Sequence, residues 1–459
     1  MLNKIFPETV QTYLNDHSSL RWNLECLEQS GIEMVIVVPA IQEYENIKRL
    51  LKSLTDNYRN YLEKTLVIFV VNHSTTSEPA VKNDNYKTLE MLRQIISKTE
   101  VDDFNRMIRN SGIRIGIVDA ASMGKEFSNK EAGVGLTRKI GMDEALKIFD
   151  YSLPGKKIIV SLDADCIVDK NYLATIYTLF NKLDLSAATI EFEHNLSENE
   201  INKPAILSYE IFLRHYVAGL FYAGSPFSYH TIGSTIVCDH EAYIKCGGMN
   251  KNSAAEDFYF LQKLAKNYII NHIYSTIVKP SSRESWRVPF GTGRSMIDYN
   301  SNGKEIMLYD PDEYLILKEW LSLFNSDAAL NTEFLLKETI KIHKELHSFL
   351  ESKEFSKNWN HILDNCKTER QLMHQRKNWF DSFKTLKLIH HLRDTSFPML
   401  NINEGVEKLF KLTNNSSFSV PDNQMNEAAV LQFYMTELRI LEHSLAKNPL
   451  MNISISSVV

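Results

Sequence analysis

Long apolar runs are missing from this sequence. The longest, Met34–Ala40 and Leu66–Val71, fall far short of the about 18 consecutive apolar residues of a membrane helix, and both suit buried strands. A basic excess is missing too: 51 Lys and Arg face 57 Asp and Glu, a formal net charge of −6, which excludes a basic nucleic-acid binder. The five cysteines, Cys26, Cys166, Cys238, Cys246 and Cys366, are odd in number, scattered and without CxxC spacing. They predict neither a disulfide framework nor a zinc site, but reduced thiols in a cytoplasm. The first residues hold no apolar segment followed by a small-residue cleavage site, so no signal peptide is expected. With 17 Gly and 12 Pro among 459 residues, and no repeat, the chain is neither fibrous nor of low complexity. Its length predicts two or three domains.

What is present is periodic. Short Val- and Ile-rich runs alternate with helix-period segments up to about residue 280, the pattern of an α/β unit with a mainly parallel twisted sheet flanked by helices. Strands are expected at Met34–Val38, Leu66–Val71, Ile113–Val118, Lys157–Leu162, Ala187–Phe192 and Ile269–Val278, with helices at Glu45–Leu54, Gly135–Phe149 and Asn171–Leu183 between them. From Pro311 onward apolar residues recur three and four apart with almost no β-branched runs, which predicts an all-helical C-terminal domain. The expected division is a helical extension over 1–30, the α/β unit over 31–305 and the helical domain over 306–459, with a polar stretch at Asn414–Asn426 before the final helix and a loose tail.

The most informative segment is KKIIVSLDADCIVDKNYL, where an apolar strand runs into Asp163-Ala164-Asp165. Residues two apart on a strand share a side, so both carboxylates would emerge together at the C-terminal edge of a parallel sheet, where such folds bind ligands. Their mutual repulsion calls for a cation, and Mg²⁺ or Mn²⁺ held by one or two carboxylates plus substrate phosphates suits the arrangement. As plain structure the pair would be turn or cap residues, and Asp169 is expected to cap the next helix. Pro39, Ala40 and Glu43 end the first strand and open a helix; Arg138 and Gly141 share a face three residues apart. Ser253 with Glu256 fits a capping box, which leaves Asp257 as the candidate general base. Residues 279–294 bring Arg283, Arg287 and Arg294 together with Gly291 and Gly293, either a loop that closes on phosphate oxygens or a solvated basic loop.

The order of these motifs resembles glycosyltransferase family 2. VVPAIQEYEN is similar to its opening V-P-x-x-N-E segment, LTRKIGMDEAL to its A-R-N-x-G helix, SLDADC to its D-x-D strand, and GGMNKNSAAEDFYFLQKL to its G-G-F…E-D helix, over residues 34–266. The resemblance implies a GT-A nucleotide-diphospho-sugar fold, an activated sugar as donor and inversion at the anomeric carbon. It also implies a divalent metal on Asp165, Asp163 near the donor ribose, and Asp257 as base. Three departures stand out: Gln42 and Lys139 replace family asparagines, and Val71-Asn72-His73-Ser74 replaces an Asp-Asp-Gly-Ser whose acidic residue holds the base of uridine donors. Asn72 offers both donor and acceptor there, so the base stays open. The Q-x-x-R-W of processive members is missing, which argues against a membrane-bound polymer synthase. The expected partners are therefore a nucleotide-diphospho-sugar and an unidentified acceptor hydroxyl, on a saccharide, lipid-linked or small molecule, with oligomeric state open.

Other readings fit less well. GVGLTR lacks the third Gly of a dinucleotide fold and does not follow a strand. A sugar nucleotidyltransferase would carry a Gly-rich basic loop where AIQEYEN stands, and an inactive sugar-nucleotide-binding scaffold predicts decay at acids that are all present. His343 and His347 lie four apart without the H-E-x-x-H order, and suit a solvated helix face. Arg370, Arg376, Lys377, Lys384 and Lys387 suit a solvated face or peripheral contact with anionic lipid, and the opposing acids favour the former.

Overall fold

The computed structural model describes residues 6–19, 21–27, 30–97, 102–196, 203–252, 254–285, 291–415, 418–419, 421 and 425–446. The chain divides into two compact units, one through Met1–Asn195 and Thr231–Ser281, the other through Leu196–His230 and Ser282–Lys447.

The first unit is built on a nine-stranded sheet formed by β1 (Leu24–Glu25), β2 (Met34–Ala40), β3 (Thr65–Asn72), β4 (Arg114–Ala120), β5 (Ile158–Ser161), β6 (Ile167–Val168), β7 (Ala187–Phe192), β8 (Ile236–Asp239) and β9 (Asn271–Lys279). Its order is β1-β4-β3-β2-β5-β8-β7-β9-β6. The block β4-β3-β2-β5 is parallel throughout, and so is the pair β7/β9. Antiparallel pairings insert β8 between β5 and β7 and add β1 and β6 at the edges. Parallel strands covered on both faces read as continuous apolar runs, and every residue of β3 is buried. The chain lays β2, β3 and β4 outward in one direction, then returns to set β5 on the other side of β2. That reversal is a topological switch point, and open sheets of this kind bind ligands in the crevice beyond the C-terminal strand ends at such a point, here those of β2 and β5.

All six expected strands form, with shifts of a residue or two at the ends. Sequence patterning does not reveal β1, β6 and β8, which have two, two and four residues, too few for a period to show. The helix Val134–Ile148 lies across the strands and is buried over nearly its whole length. Gly141 makes this close packing feasible: a Cβ there would meet Val37 Cγ1 and lie 3.0 Å from Val70 Cγ2.

The second unit is helical and includes more of the chain than the expected 306–459. The helix Lys203–Tyr222, which sits in sequence between two strands like an ordinary crossover, belongs to it. That helix packs along Glu427–Ala446, where Arg214 Nη1 donates to Glu442 Oε2 at 2.8 Å and Arg439 Nη2 to Glu210 Oε1 at 2.6 Å. Trp320, Phe324, Phe355, Trp359, Trp379 and Phe380 form an aromatic centre. His343 caps the helix Lys344–Ser352 by accepting from Glu345 N, and His347 bonds Thr339 Oγ1 and Leu336 O, so both histidines have structural partners. In the basic stretch Arg376 donates to Asn325 O and Ser326 O, while Lys384 and Lys387 lie over the rings of Trp379 and Phe383. Among the described residues no helix is long and apolar enough to cross a membrane. The final residues, 447–459, lie outside the described part.

Gly141→Ala tests the helix–sheet contact. Alanine favours the helix by up to about 1 kcal/mol, but its methyl group meets a stiff β-branched valine, and overpacking costs about 1–3 kcal/mol. The variant should melt at a lower temperature than wild type; an unchanged or raised Tm would show that the contact has slack.

Candidate functional site

Arg138 is the centre of the crevice. It sits in the first turns of the helix Val134–Ile148 and is almost wholly buried. A buried guanidinium must have its donors met. Nη2 donates to Asp163 Oδ1 at 2.8 Å, Nε to Glu256 Oε1 at 3.2 Å, and Nη1 to Ser161 Oγ at 2.9 Å and the Gly233 carbonyl at 3.5 Å. One side chain thus joins the end of β5, the turn after it, the entry to β8 and the start of the helix Glu256–Asn267. The two carboxylates beside it hold its charge firmly, raising its pKa against the opposing effect of burial.

The D-x-D does not lie on the strand. β5 ends at Ser161, and Asp163, Ala164 and Asp165 form a turn closed by Cys166 N donating to the Asp163 carbonyl at 3.2 Å. The two carboxylates therefore share a tight turn rather than an extended face. Asp169 is not the cap of the following helix, whose N-cap position falls on Asn171. Its carboxylate instead accepts from Ile277 N at 3.1 Å, with Lys279 Nζ 3.7 Å away, and so ties the turn to β9.

Glu256 is also placed differently from the expected capping box. Ser253 lies outside the described residues, and the helix begins at Glu256 itself, after Ala255 in a left-handed conformation (φ 58°). Glu256 is spent on Arg138 instead. Asp257, next to it, is partly exposed and accepts from Phe258 N at 2.7 Å. Burial, the neighbouring Glu256 and Asp163 push its carboxyl up to about 7, while Arg138 and the Phe258 N–H pull the other way.

The remaining expected residues divide into two groups. Pro39 and Ala40 end β2, and Glu43 precedes the helix Tyr44–Thr55, accepting from Asn46 Nδ2 at 2.5 Å. Asn72 ends β3, but its amide donates to the carbonyls of Ala40 at 3.1 Å and Val70 at 3.2 Å, so its donors bind the strand ends together instead of facing a ligand. Gln42 takes a positive φ of 55°, and its N–H donates to Asn85 Oδ1 at 2.9 Å. Lys139 turns away from the crevice to Asp143 and Tyr13. Arg283 and Arg294 belong to the second unit. Arg294 is in the helix Thr292–Asn302, not a loop, and pairs with Asp298 at 3.0 Å. Arg287 lies outside the described residues.

Mg²⁺ or Mn²⁺ asks for one or two carboxylates and completes its shell with water and phosphate oxygens. Asp163 and Asp165 in one turn fit that need, with Arg138 engaging only Oδ1 of Asp163. Among the described residues no three His, Cys, Asp or Glu side chains group into a ready-made metal cage.

No protein-family model matches the sequence, and neither does any curated protein. Similar solved structures include S. aureus TarS 1–349, at 12% identity and TM-score 0.36, with 91% of this chain and 92% of that one covered. They also include TarS 1–349 in complex with UDP-GlcNAc, at 13% identity, TM-score 0.36 and the same coverage. The mannosyltransferase PcManGT from Pyrobaculum calidifontis, in complex with GDP-Man and Mn²⁺, is similar at 11% identity and TM-score 0.33, covering 95% of this chain and 91% of that one.

Two outcomes follow from this geometry. Arg138→Met leaves Glu256 and Asp163 without their cation, and breaking a buried pair costs about 3–5 kcal/mol, so the variant should unfold at a much lower denaturant midpoint. Arg138→Lys should rescue little of that loss, because an ammonium cannot reproduce the guanidinium's spread of donors. Asp257 sets a pH dependence: its carboxyl titrates near 4 in the unfolded chain but at about 7 in the fold. The fold therefore binds an extra proton between about pH 4 and 7, and stability falls as pH rises through that window. In chelator-containing buffer, Tm measured from pH 5 to 8 should decline for wild type more steeply than for Asp257→Asn; parallel curves would remove Asp257 as the cause.

Proposed function

We propose that this protein is a glycosyltransferase that moves a sugar from a nucleotide-diphospho-sugar to an acceptor hydroxyl with inversion. The observation that carries the reading is the Arg138 cluster: at the switch point of a parallel sheet, one guanidinium joins a D-x-D turn to an acidic helix start, in the motif order that resembles glycosyltransferase family 2.

Asp165, with Asp163, would hold Mg²⁺ or Mn²⁺, which when bound supplies positive charge to the departing diphosphate. Arg138 fixes the turn so that these carboxylates keep their positions when the ligand arrives. Asp257 takes the proton from the acceptor hydroxyl as its oxygen bonds to the anomeric carbon and the nucleoside diphosphate leaves. A carboxyl with a pKa of about 7 suits that task, being ionised in a useful fraction near neutrality yet basic enough to accept a proton. Glu256, bound to Arg138, holds the start of the helix from which Asp257 projects. Arg283, Arg287 and Arg294 stay in the reading as cations for the diphosphate, on the strength of their sequence alone.

The test is a panel of nucleotide sugars assayed for transfer and hydrolysis with and without Mn²⁺. Asp165→Ala should abolish metal-dependent nucleotide binding measured by calorimetry, and Asp257→Asn should stop turnover in a protein that still binds donor. Wild type that binds and turns over no member of the panel, or Asp165→Ala that binds like wild type, would defeat the proposal.

A further inference from the structure

Behind the Arg138 helix lies a second buried network that the proposed chemistry does not use. Tyr13 enters it from the N-terminal helix Glu8–His17. Its hydroxyl donates to Asp143 Oδ1 at 3.0 Å, the Tyr243 hydroxyl donates to the same oxygen at 2.8 Å, and Lys139 Nζ donates to Asp143 Oδ2 at 2.8 Å and to Tyr13 Oη at 3.1 Å. All four side chains are buried, and burial beside Asp143 pushes both phenols well above their ordinary range, so they remain neutral donors. Each donor has an acceptor and the lysine's charge is balanced. Lys139, which stands where the resembled family has Asn, is thereby explained: it serves the N-terminal helix, while its neighbour Arg138 faces the crevice.

The network also touches the backbone that leads to Asp257. Gly248 has a φ of 71°, and a Cβ there would meet Tyr13 Oη and come within 3.0 Å of Tyr13 Cζ. Lys263, from the helix Glu256–Asn267, donates to the Gly248 carbonyl at 3.2 Å. Beyond the turn, the Asn250 and Asn252 carbonyls lie so close to Gly135 that a Cβ there would clash with both. Gly248 is thus held between Tyr13 and Lys263, and Glu256 is held by Arg138.

We infer that Tyr13 is a positioning residue for the reaction: its hydroxyl, and not the N-terminal helix as a whole, fixes the turn at Gly248 that precedes Asp257 in the chain. The inference rests on the proposed glycosyl transfer for its kinetic consequence but not for its structural one.

The experiment compares Tyr13→Phe with Val10→Ala. Phe keeps the ring and removes only the hydroxyl, whereas Val10 is fully buried on the same helix and takes no part in the network. Tyr13→Phe should lower kcat on the order of tenfold with donor KM changed less than about twofold, since a small misplacement of a reacting group is expensive in rate. It should also speed amide exchange at Gly248, whose N–H donates to the Tyr243 carbonyl at 2.9 Å, by about tenfold. Val10→Ala should lower Tm while leaving kcat and that exchange unchanged. The inference is overturned if the two variants lose activity in proportion to stability, or if Tyr13→Phe changes neither kcat nor exchange. Should wild type show no transfer at all, the functional reading fails by itself, and exchange at Gly248 still decides whether Tyr13 holds the turn.

Discussion

A guanidinium cannot give up its proton to escape burial, so the architecture around Arg138 has to bring it acceptors. It receives them from three separated parts of the chain: Ser161 with Asp163, then Gly233, then Glu256. None of these is close to Arg138 in sequence, and none would meet the others without the sheet. The strand order places β5 beside β2, the helix Val134–Ile148 packs across the same strands, and Gly141, one turn beyond Arg138, lets the helix come close enough for the side chain to reach the strand ends. The ion pairs are a consequence of that packing. Buried pairs of this kind contribute little net stability, since desolvation offsets attraction, but they penalise any arrangement that leaves one partner alone.

This explains why the crevice can be acidic without falling apart. Around Arg138 stand Asp163, Glu256 and Asp257, with Asp165 in the same turn as Asp163. Glu256 and Asp163 are each bound to the guanidinium through one oxygen. Of the two adjacent acids Glu256 is the one bonded to Arg138, and on that ground the proposal gives the chemical role to Asp257.

Much of this was legible in the sequence, for identifiable reasons. β2, β3, β4 and β7 are buried on both faces, so their apolar runs announce them. Arg138, Asp163, Asp165 and Asp257 stood out by motif order, and Arg138, Asp163 and Asp257 do converge. Their partners did not stand out. Ser253 and Glu256 have the spacing of a capping box, and local spacing carries no information that Glu256 would find a cation 118 residues away. Asp169 looked like a helix cap because it precedes a helix, yet β9, more than a hundred residues later, claims its carboxylate. Asn72 offered the chemistry to read a base, and the two strand-end carbonyls use its donors instead. Lys139 beside Arg138 gave no sign of facing backward, because the tyrosine it meets lies in a helix that the sequence shows only as an extension. In each case a local rule was overridden by a long-range partner, which one sequence does not display.

Three acids, Asp163, Glu256 and Asp257, act on the one buried guanidinium. A carboxylate crowded by others can be relieved by a proton or by a cation. Asp257 lies directly beside Glu256, and burial together with that neighbour moves its carboxyl up to about 7, so there a proton gives the relief. Asp163 has its relief from a cation already in the fold, the Arg138 guanidinium. Asp143, on the same helix as Arg138, is likewise paired, with Lys139 and two phenols. The helix Val134–Ile148 thus carries two buried cations on two networks, Arg138 toward the strand ends and Lys139 toward the N-terminal helix, and the close packing that Gly141 allows brings the first of them within reach of its acceptors.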